Sequence, residues 1–464
     1  MRSLDKLFIH RLVFLGLSFG LTVSAWATVA EDLATNEVKT SFITENALAD
    51  LGNRISQFNL GISYNYGKGV RQDYTKALEW YQKAADQGYA RAQYNIGAMY
   101  AAGQGVQQDF TKAFQWYQKA ADQGEAAAQY NIGVSYRKGL GVHQNDVKAV
   151  EWYRKAANQR HIHAQYNLGV SYDKAKGVSQ NDVKAFEWFQ KAANQGHAKS
   201  QHNIGLMYAI GQGVSQNNTK AAEWYRKAAN QGRSEAQNNL GVMYYNGQGI
   251  RQDYFKAAEW YQKAADQGLA EAQYLLGRMY NDGVGVSQNY VKAVNWYQRA
   301  ADQGNTSAQN NLGLIYYNGK GVPQDYAKSF KFYQKSADQD NALGQNNLGW
   351  LYYTGEGVRQ DYSKAIDLLK KSANQGEVLA QSNLGVIYGE TIGLHQNYSK
   401  GFYWTQKAAK QGQAHAQYNL GVMYFRGVGV NQNKLQAKEW FGKACDNEFQ
   451  AGCDNYRILN QKQN

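Results

Sequence analysis

Apolar residues recur along this chain with two superimposed periods. Over short stretches they fall three or four residues apart: Ala92, Ile96 and Tyr100, then Ala113, Trp116, Tyr117 and Ala120. That spacing lines one face of an α-helix. A glycine-rich break, Gly103-Gln104-Gly105-Val106, separates the two runs. The whole pattern then returns every 36 residues, with Gly61, Gly97, Gly133, Gly169, Gly205, Gly241, Gly277, Gly313, Gly349, Gly385 and Gly421 marking one place in eleven copies. The period does not slip between residues 53 and 448. It predicts an all-α solenoid of eleven helix-loop-helix units, each packing on its neighbours, with capping ends.

Each unit carries its own punctuation. A loop glycine ends the first helix by adopting the left-handed conformation. Asp or Asn (Asp73, Asp109, Asn145, Asn181, Asn217 and onward) then caps the second helix, which closes at a sequence such as Asp122-Gln123-Gly124. Gly97 and its equivalents lie inside the first helix, where glycine costs about 1 kcal/mol against alanine. Close approach of a neighbouring helix is the expected compensation. Nine of the eleven tryptophans share one position, from Trp80 to Trp440, with Phe332 and Leu368 there in units eight and nine. A repeated aromatic at helical spacing is read as core, wedged between the two helices and the next unit. Ala47 to Gly52 reads as half a repeat, and residues 449–464 as a truncated first helix that caps the C-terminal end. Pro323 is the sole proline.

Residues 1–27 read as a signal peptide, followed by a capping segment over 28–52. Arg2, Lys6 and Arg11 precede an apolar run from Leu12 to Val23, and Ala25-Trp26-Ala27 is a small-x-small cleavage site. The run is short for a membrane span. The expected mature protein is periplasmic or secreted, cut near Ala27. Cleavage there lowers the net charge from +13 to +11, and a positive surface attracts acidic partners. The basic residues recur at one helix position (Lys83, Lys119, Lys155, Lys191, Lys227), which reads first as a solvated face.

The pattern Ala-x-x-x-Leu-Gly-x-x-Tyr, Gly-x-Gly-Val, Lys-Ala-x-x-Trp-Tyr-x-Lys-Ala-Ala resembles the Sel1-like repeat, a relative of the tetratricopeptide repeat. The departures are Ala175 and Thr391 at the first loop glycine, and Arg160, Asp340 and Glu448 at the closing glycine. The resemblance implies a right-handed α/α superhelix that serves as a platform for protein interactions. It also implies, from secreted cysteine-rich relatives, a disulfide between Cys445 and Cys453. On one straight helix these would stand about 12 Å apart, but the turn at Asn447-Glu448 lies between them. Two buried thiols are the alternative. Such relatives further suggest binding or hydrolysis of β-lactams.

That suggestion calls for a nucleophile. Ser135-Tyr-Arg-Lys138 and Ser171-Tyr-Asp-Lys174 match Ser-x-x-Lys, without a Lys-Thr-Gly or Ser-Asp-Asn companion. His161, His163, His197 and His202 fall in adjacent units but lack a completing Asp or Cys. We therefore expect no catalytic residues, no metal site and no cofactor. The remaining surface is the free face of the first helices, expected on the concave side. Its candidates are Tyr166, Tyr274, Arg278, Tyr317, Trp350 and Tyr353, beside an asparagine ladder of Asn95, Asn131, Asn167, Asn203, Asn239, Asn311 and Asn347. Aromatic residues and arginine anchor interfaces. Amides can hydrogen-bond an extended peptide or, equally, bridge repeats. The expected function is non-catalytic binding of a protein or peptide ligand. Cell-wall glycan is the second partner, and neither nucleic acid nor a membrane span is expected.

Overall fold

The computed structural model describes residues 42–390 and 397–461. The expected signal segment over 1–27 with its expected cleavage near Ala27, and Thr391 in the loop of repeat ten, lie outside them. The described residues form helices joined by turns, with no strand. The chain folds as two compact units, one up to Ala228 and one from Ala229, with the boundary inside the second helix of repeat five. Each is an α/α solenoid. Repeat two shows the pattern: a first helix Ala90–Ala102, a turn, and a second helix Phe110–Asp122.

The punctuation works as the residues suggest. Gly103 ends the first helix at φ 69°. Asp109 accepts a hydrogen bond from the Lys112 amide at 2.9 Å, and Asn145 from Lys148 at 3.0 Å. Gly141 combines a positive φ with crowding, since a Cβ there would lie 2.1 Å from the Phe110 carbonyl of the preceding repeat. Where the closing glycine is lost the backbone keeps its shape: Arg160, Asp340 and Glu448 hold φ values of 58° to 66°.

The compensation for the helix-interior glycine is an aromatic ring from the same repeat. A Cβ on Gly61 would lie 2.3 Å from Tyr81, one on Gly97 2.7 Å from Tyr117, and one on Gly277 2.8 Å from Tyr297. Each ring lies flat on bare backbone, and Tyr81, Tyr153 and Tyr297 are each 1% exposed. Burying such a ring is worth about 2 kcal/mol. The tryptophan next to it is therefore not the core wedge expected from the sequence. Trp80 to Trp296 are half-buried. Trp116 packs one face on the core and carries the Lys119 ammonium 4.0 Å over its ring. Trp80 and Lys83 stack likewise at 3.7 Å. The lysine column is thus a lid on the tryptophan column. Among the described tryptophans, Trp404 and Trp440 alone are buried.

A glutamine ladder that the sequence reading missed ties the repeats together. Gln93, buried, donates from Nε2 to the Ala85 carbonyl of the preceding repeat at 3.3 Å and accepts from Gln123 at 2.7 Å. Gln129 and Gln273 repeat the arrangement. The ends continue it. Gln57 donates to Ala49 in the cap helix over 42–50. At the other end Cys445 and Cys453 form a disulfide with Cα atoms 4.5 Å apart, at the places taken elsewhere by that alanine and that glutamine.

Candidate partner-binding face

One side of each first helix is left uncovered by its second helix. In the C-terminal unit the first helices of repeats eight to eleven touch one another directly, while their second helices make no comparable contact. The stack therefore curves toward the first helices there, which puts their free face on the inner side of that unit.

The position three residues before the glycine is turned partly inward from that free face. Tyr166 leans on Phe189 at 5.8 Å between ring centroids, and Tyr274 on Tyr297 at 6.0 Å. Both are half-buried. Where asparagine stands there it is buried, Asn310 to 5% and Asn346 to 3%. The core ring lying over the glycine draws this neighbour inward.

The asparagine ladder bridges repeats. Asn95 faces the Tyr81 phenol of the preceding repeat, Asn131 faces Tyr94 and Tyr117, Asn167 faces Tyr130 and Tyr153, and Asn311 faces Tyr297. Burial raises the pKa of these phenols, Tyr153 to about 12, and the amides only partly offset it. At Tyr81 and Tyr297 the hydroxyl falls short of full hydrogen-bond geometry. Asn347 donates to Asn310 of the preceding repeat at 2.8 Å and accepts from Asn346 at 2.9 Å. Asn203 and Asn239 are half-buried at the same register.

What remains is a stripe at the first and fourth positions after the glycine. Tyr245, Tyr317 and Tyr353 occupy the fourth position in repeats six, eight and nine. Each meets the tyrosine that starts its own second helix, at 5.1, 5.2 and 5.6 Å. Arg278 and Trp350 stand at the first position, where the other nine repeats carry Ile, Ala, Val or Leu. Each reaches back one repeat. The Arg278 guanidinium lies 5.1 Å from the Tyr245 ring centre. Trp350 lies beside the Tyr317 hydroxyl and 5.3 Å from Tyr353. Tyr317 donates to Glu356 at 2.9 Å. Burial, then that carboxylate, pushes its pKa up to about 12. Arg278 also borders a pocket of about 290 Å³ with Tyr274, Asn281, Tyr297, Asn311 and Lys320.

The Sel1 repeat model matches eleven successive segments, from 54–89 to 414–449. The chain is a Sel1 repeat protein. A solved structure of c5321, a protective antigen of uropathogenic Escherichia coli with an SLR fold, is similar at 37% identity and a TM-score of 0.86, covering 91% of this chain and 90% of that one. A Sel1 repeat protein from Oxalobacter formigenes is similar at 32% identity and a TM-score of 0.54, over 66% of this chain and 89% of that one. No curated protein sequence matches. Sel1 repeat proteins generally act as protein-interaction scaffolds.

The chemical candidates have structural employment in this Sel1 repeat protein. Ser171 is fully buried, donates to the Asn167 carbonyl at 2.8 Å and accepts from Arg137 at 2.7 Å. Ser135 is buried too, whereas Lys138 and Lys174 point outward. His161 and His197 cap first helices, their Nδ1 atoms accepting from the Ala164 and Ser200 amides at 3.2 and 3.3 Å. His163 touches both rings, at 6.0 and 5.4 Å. No group of three or more metal-ligating side chains converges among the described residues. No described helix is long and apolar enough to cross a membrane.

Proposed function

We propose that this Sel1 repeat protein is an exported, non-catalytic scaffold. It holds an extended peptide or flexible protein segment on the first-helix face of repeats six to nine. The observation that carries this is the paired departure at Arg278 and Trp350. Both are half-buried, both break an aliphatic position, and both build onto a tyrosine of the preceding repeat. A stripe of preset rings offers binding area at little entropic cost. The asparagine ladder, engaged between repeats, supplies rigidity beneath it. Export is supported by the basic, apolar and small-x-small order of residues 1–27 and by the cysteine pair. The similar E. coli protein is a protective antigen, which accords with a place outside the cytoplasm.

The test is selection from a random peptide library, followed by affinity measurement. Selected peptides should lose affinity on Arg278→Ala and Trp350→Ala but not on Lys227→Ala, which alters the opposite face. Peptides indifferent to both stripe variants would overturn the assignment. Turnover of a chromogenic β-lactam would overturn the non-catalytic part.

A further inference from the structure

Among the described residues, the arginines that are half-buried on first helices or their caps are Arg137, Arg233 and Arg278. Two of them hold a carboxylate. Arg137 pairs with Asp146 at 2.8 Å and Arg233 with Glu235 at 3.0 Å. Arg278 has no carboxylate within ion-pair distance among the described residues. Around its guanidinium stand the phenols of Tyr245, Tyr274 and Tyr261, which are neutral at physiological pH. Taking a guanidinium partly out of water is costly, and neutral rings offset only part of that.

The nearby acids are engaged elsewhere. Asp282 is exposed and accepts from Asn281 at 2.7 Å, and Glu271 accepts from Asn305 at 3.3 Å. Glu356, toward the other end of the stripe, accepts from Tyr317 at 2.9 Å and from Thr354 at 3.0 Å. Lys320 of the next repeat is exposed and borders the same pocket as Arg278. A pocket of this register belongs to the repeat plan, since one also opens in repeat ten. Repeat seven differs by its charge. Repeat ten has Val386 at the place of Arg278 and borders Val428 at the place of Lys320.

We infer that Arg278 and Lys320 hold the side-chain carboxylate of an aspartate or glutamate in the partner segment. A guanidinium presents two parallel N–H donors to a carboxylate, and the lysine adds a second charge at the rim. Such a ligand supplies to Arg278 what Asp146 supplies to Arg137 within the chain. That the carboxylate comes from a protein segment rests on the scaffold reading; that the site takes a carboxylate does not.

The probes are hexaglutamate and hexaglutamine, each acetylated and amidated so that neither end is charged. Both are titrated into the full mature protein and followed by calorimetry. Hexaglutamate should bind at least about tenfold tighter, the order expected for hydrogen bonds to charged groups, and the difference should shrink at high salt. Arg278→Gln should remove most of the preference, and Lys320→Gln part of it. The chain is net positive, so general attraction is controlled by Lys227→Gln, which removes the same charge from the opposite face and should leave the preference nearly intact. Equal affinity for the two probes, or equal losses from Arg278→Gln and Lys227→Gln, overturns the proposal. Should Arg278→Gln misfold, Lys320→Gln set against Lys227→Gln still decides. If hexaglutamine with a free C-terminal carboxylate matches capped hexaglutamate and depends on Arg278, the site reads a chain end and the side-chain assignment fails. Library peptides that need Trp350 but carry no acid would leave the scaffold reading standing and sink this one. A carboxylate preference at Arg278 with no library peptide bound would do the reverse.

Discussion

Repeats seven and ten share a backbone plan and differ in what fills it. In repeat seven Tyr297 lies on Gly277, 1% exposed, with Tyr274 leaning on it and Asn311 facing its oxygen. In repeat ten Thr405, Ser382 and Asn419 hold the same places, and the Thr405 hydroxyl lies on Gly385 where the others set a larger side chain. Between them lies repeat nine, whose first helix carries Trp350 where repeat ten has Val386. The comparison teaches how to read a repeat protein. Positions that agree in every copy hold the stack together, and information about partners sits in the positions that break agreement. The predictions below each remove or restore one such break.

The largest effect is expected from making repeat seven resemble repeat ten. Tyr297→Ala removes a fully buried ring, a loss of about 3–5 kcal/mol for such truncations. Because coupling runs between neighbours, hydrogen exchange should rise first in repeats six to eight. Equal loss of protection in every repeat of the C-terminal unit would refute the nearest-neighbour picture. The conserved partner of that ring can be tested too. Gly277→Ala would set a methyl 2.8 Å from Tyr297, so it should also destabilise, against alanine's usual advantage in helices.

The next break is the cysteine pair. It replaces by a covalent bond the glutamine-to-alanine contact of the other repeats. The native protein should show no titratable thiol before reduction. Reduction should cost roughly 2–3 kcal/mol by loop-closure entropy, read as faster exchange in residues 434–461 with most helicity kept. Two free thiols in protein recovered from the periplasm would refute the pairing.

Arg278 and Trp350 come third. Arg278→Ala and Trp350→Ala should each weaken peptide binding by about 1–2 kcal/mol. Loss of Arg278 should also flatten the salt dependence of binding to acidic peptides. Trp350→Ala should cost some stability as well, since Tyr317 and Tyr353 lose a shared contact; Arg278→Ala should leave the melting temperature nearly unchanged. Restoring the aliphatic position with Trp350→Leu should recover stability and not binding.

Much of the fold was legible in the sequence because the period supplied eleven independent votes. The glycine, the loop and the caps recur too regularly to misread. The errors came from neighbours on a helical wheel. Trp80 and Tyr81 lie 100° apart on a helix that is covered on two sides, so apolarity alone does not say which faces the glycine. The clue was available: a helix-interior glycine requires a flat partner, and the tyrosine position carries a ring in nine of the eleven repeats, whereas the tryptophan position always has a basic residue three places on. The glutamine ladder was missed because a polar residue was assigned outward by default. Its regular place beside a core alanine was the signal. The loss of the ring in repeat ten was passed over because Thr405, Ser382 and Gly389 are each ordinary alone.

The smallest effect concerns a cap that titrates. His161 opens the first helix of repeat four by accepting from the Ala164 amide through Nδ1, which requires the neutral ring. Repeats eight and nine use Asn305 and Asn341 for the same task, at 2.8 and 2.9 Å, and asparagine does not titrate. Burial, and then the charge of His163, lower the His161 pKa from its ordinary value of 6.5. The folded state therefore binds this proton less readily than the unfolded chain does. Its contribution is fully present above pH 6.5 and is lost as pH falls below that, until the lower folded pKa is reached and the ring charges in both states. The cap is worth about 1 kcal/mol, which bounds the effect. Between pH 7 and pH 5 the amides of residues 162–165 should lose hydrogen-exchange protection beyond the intrinsic pH dependence of exchange, and those of residues 306–309 should not. His161→Asn should abolish the difference. Equal behaviour of the two helices in the wild-type protein would show that the imidazole cap contributes nothing measurable.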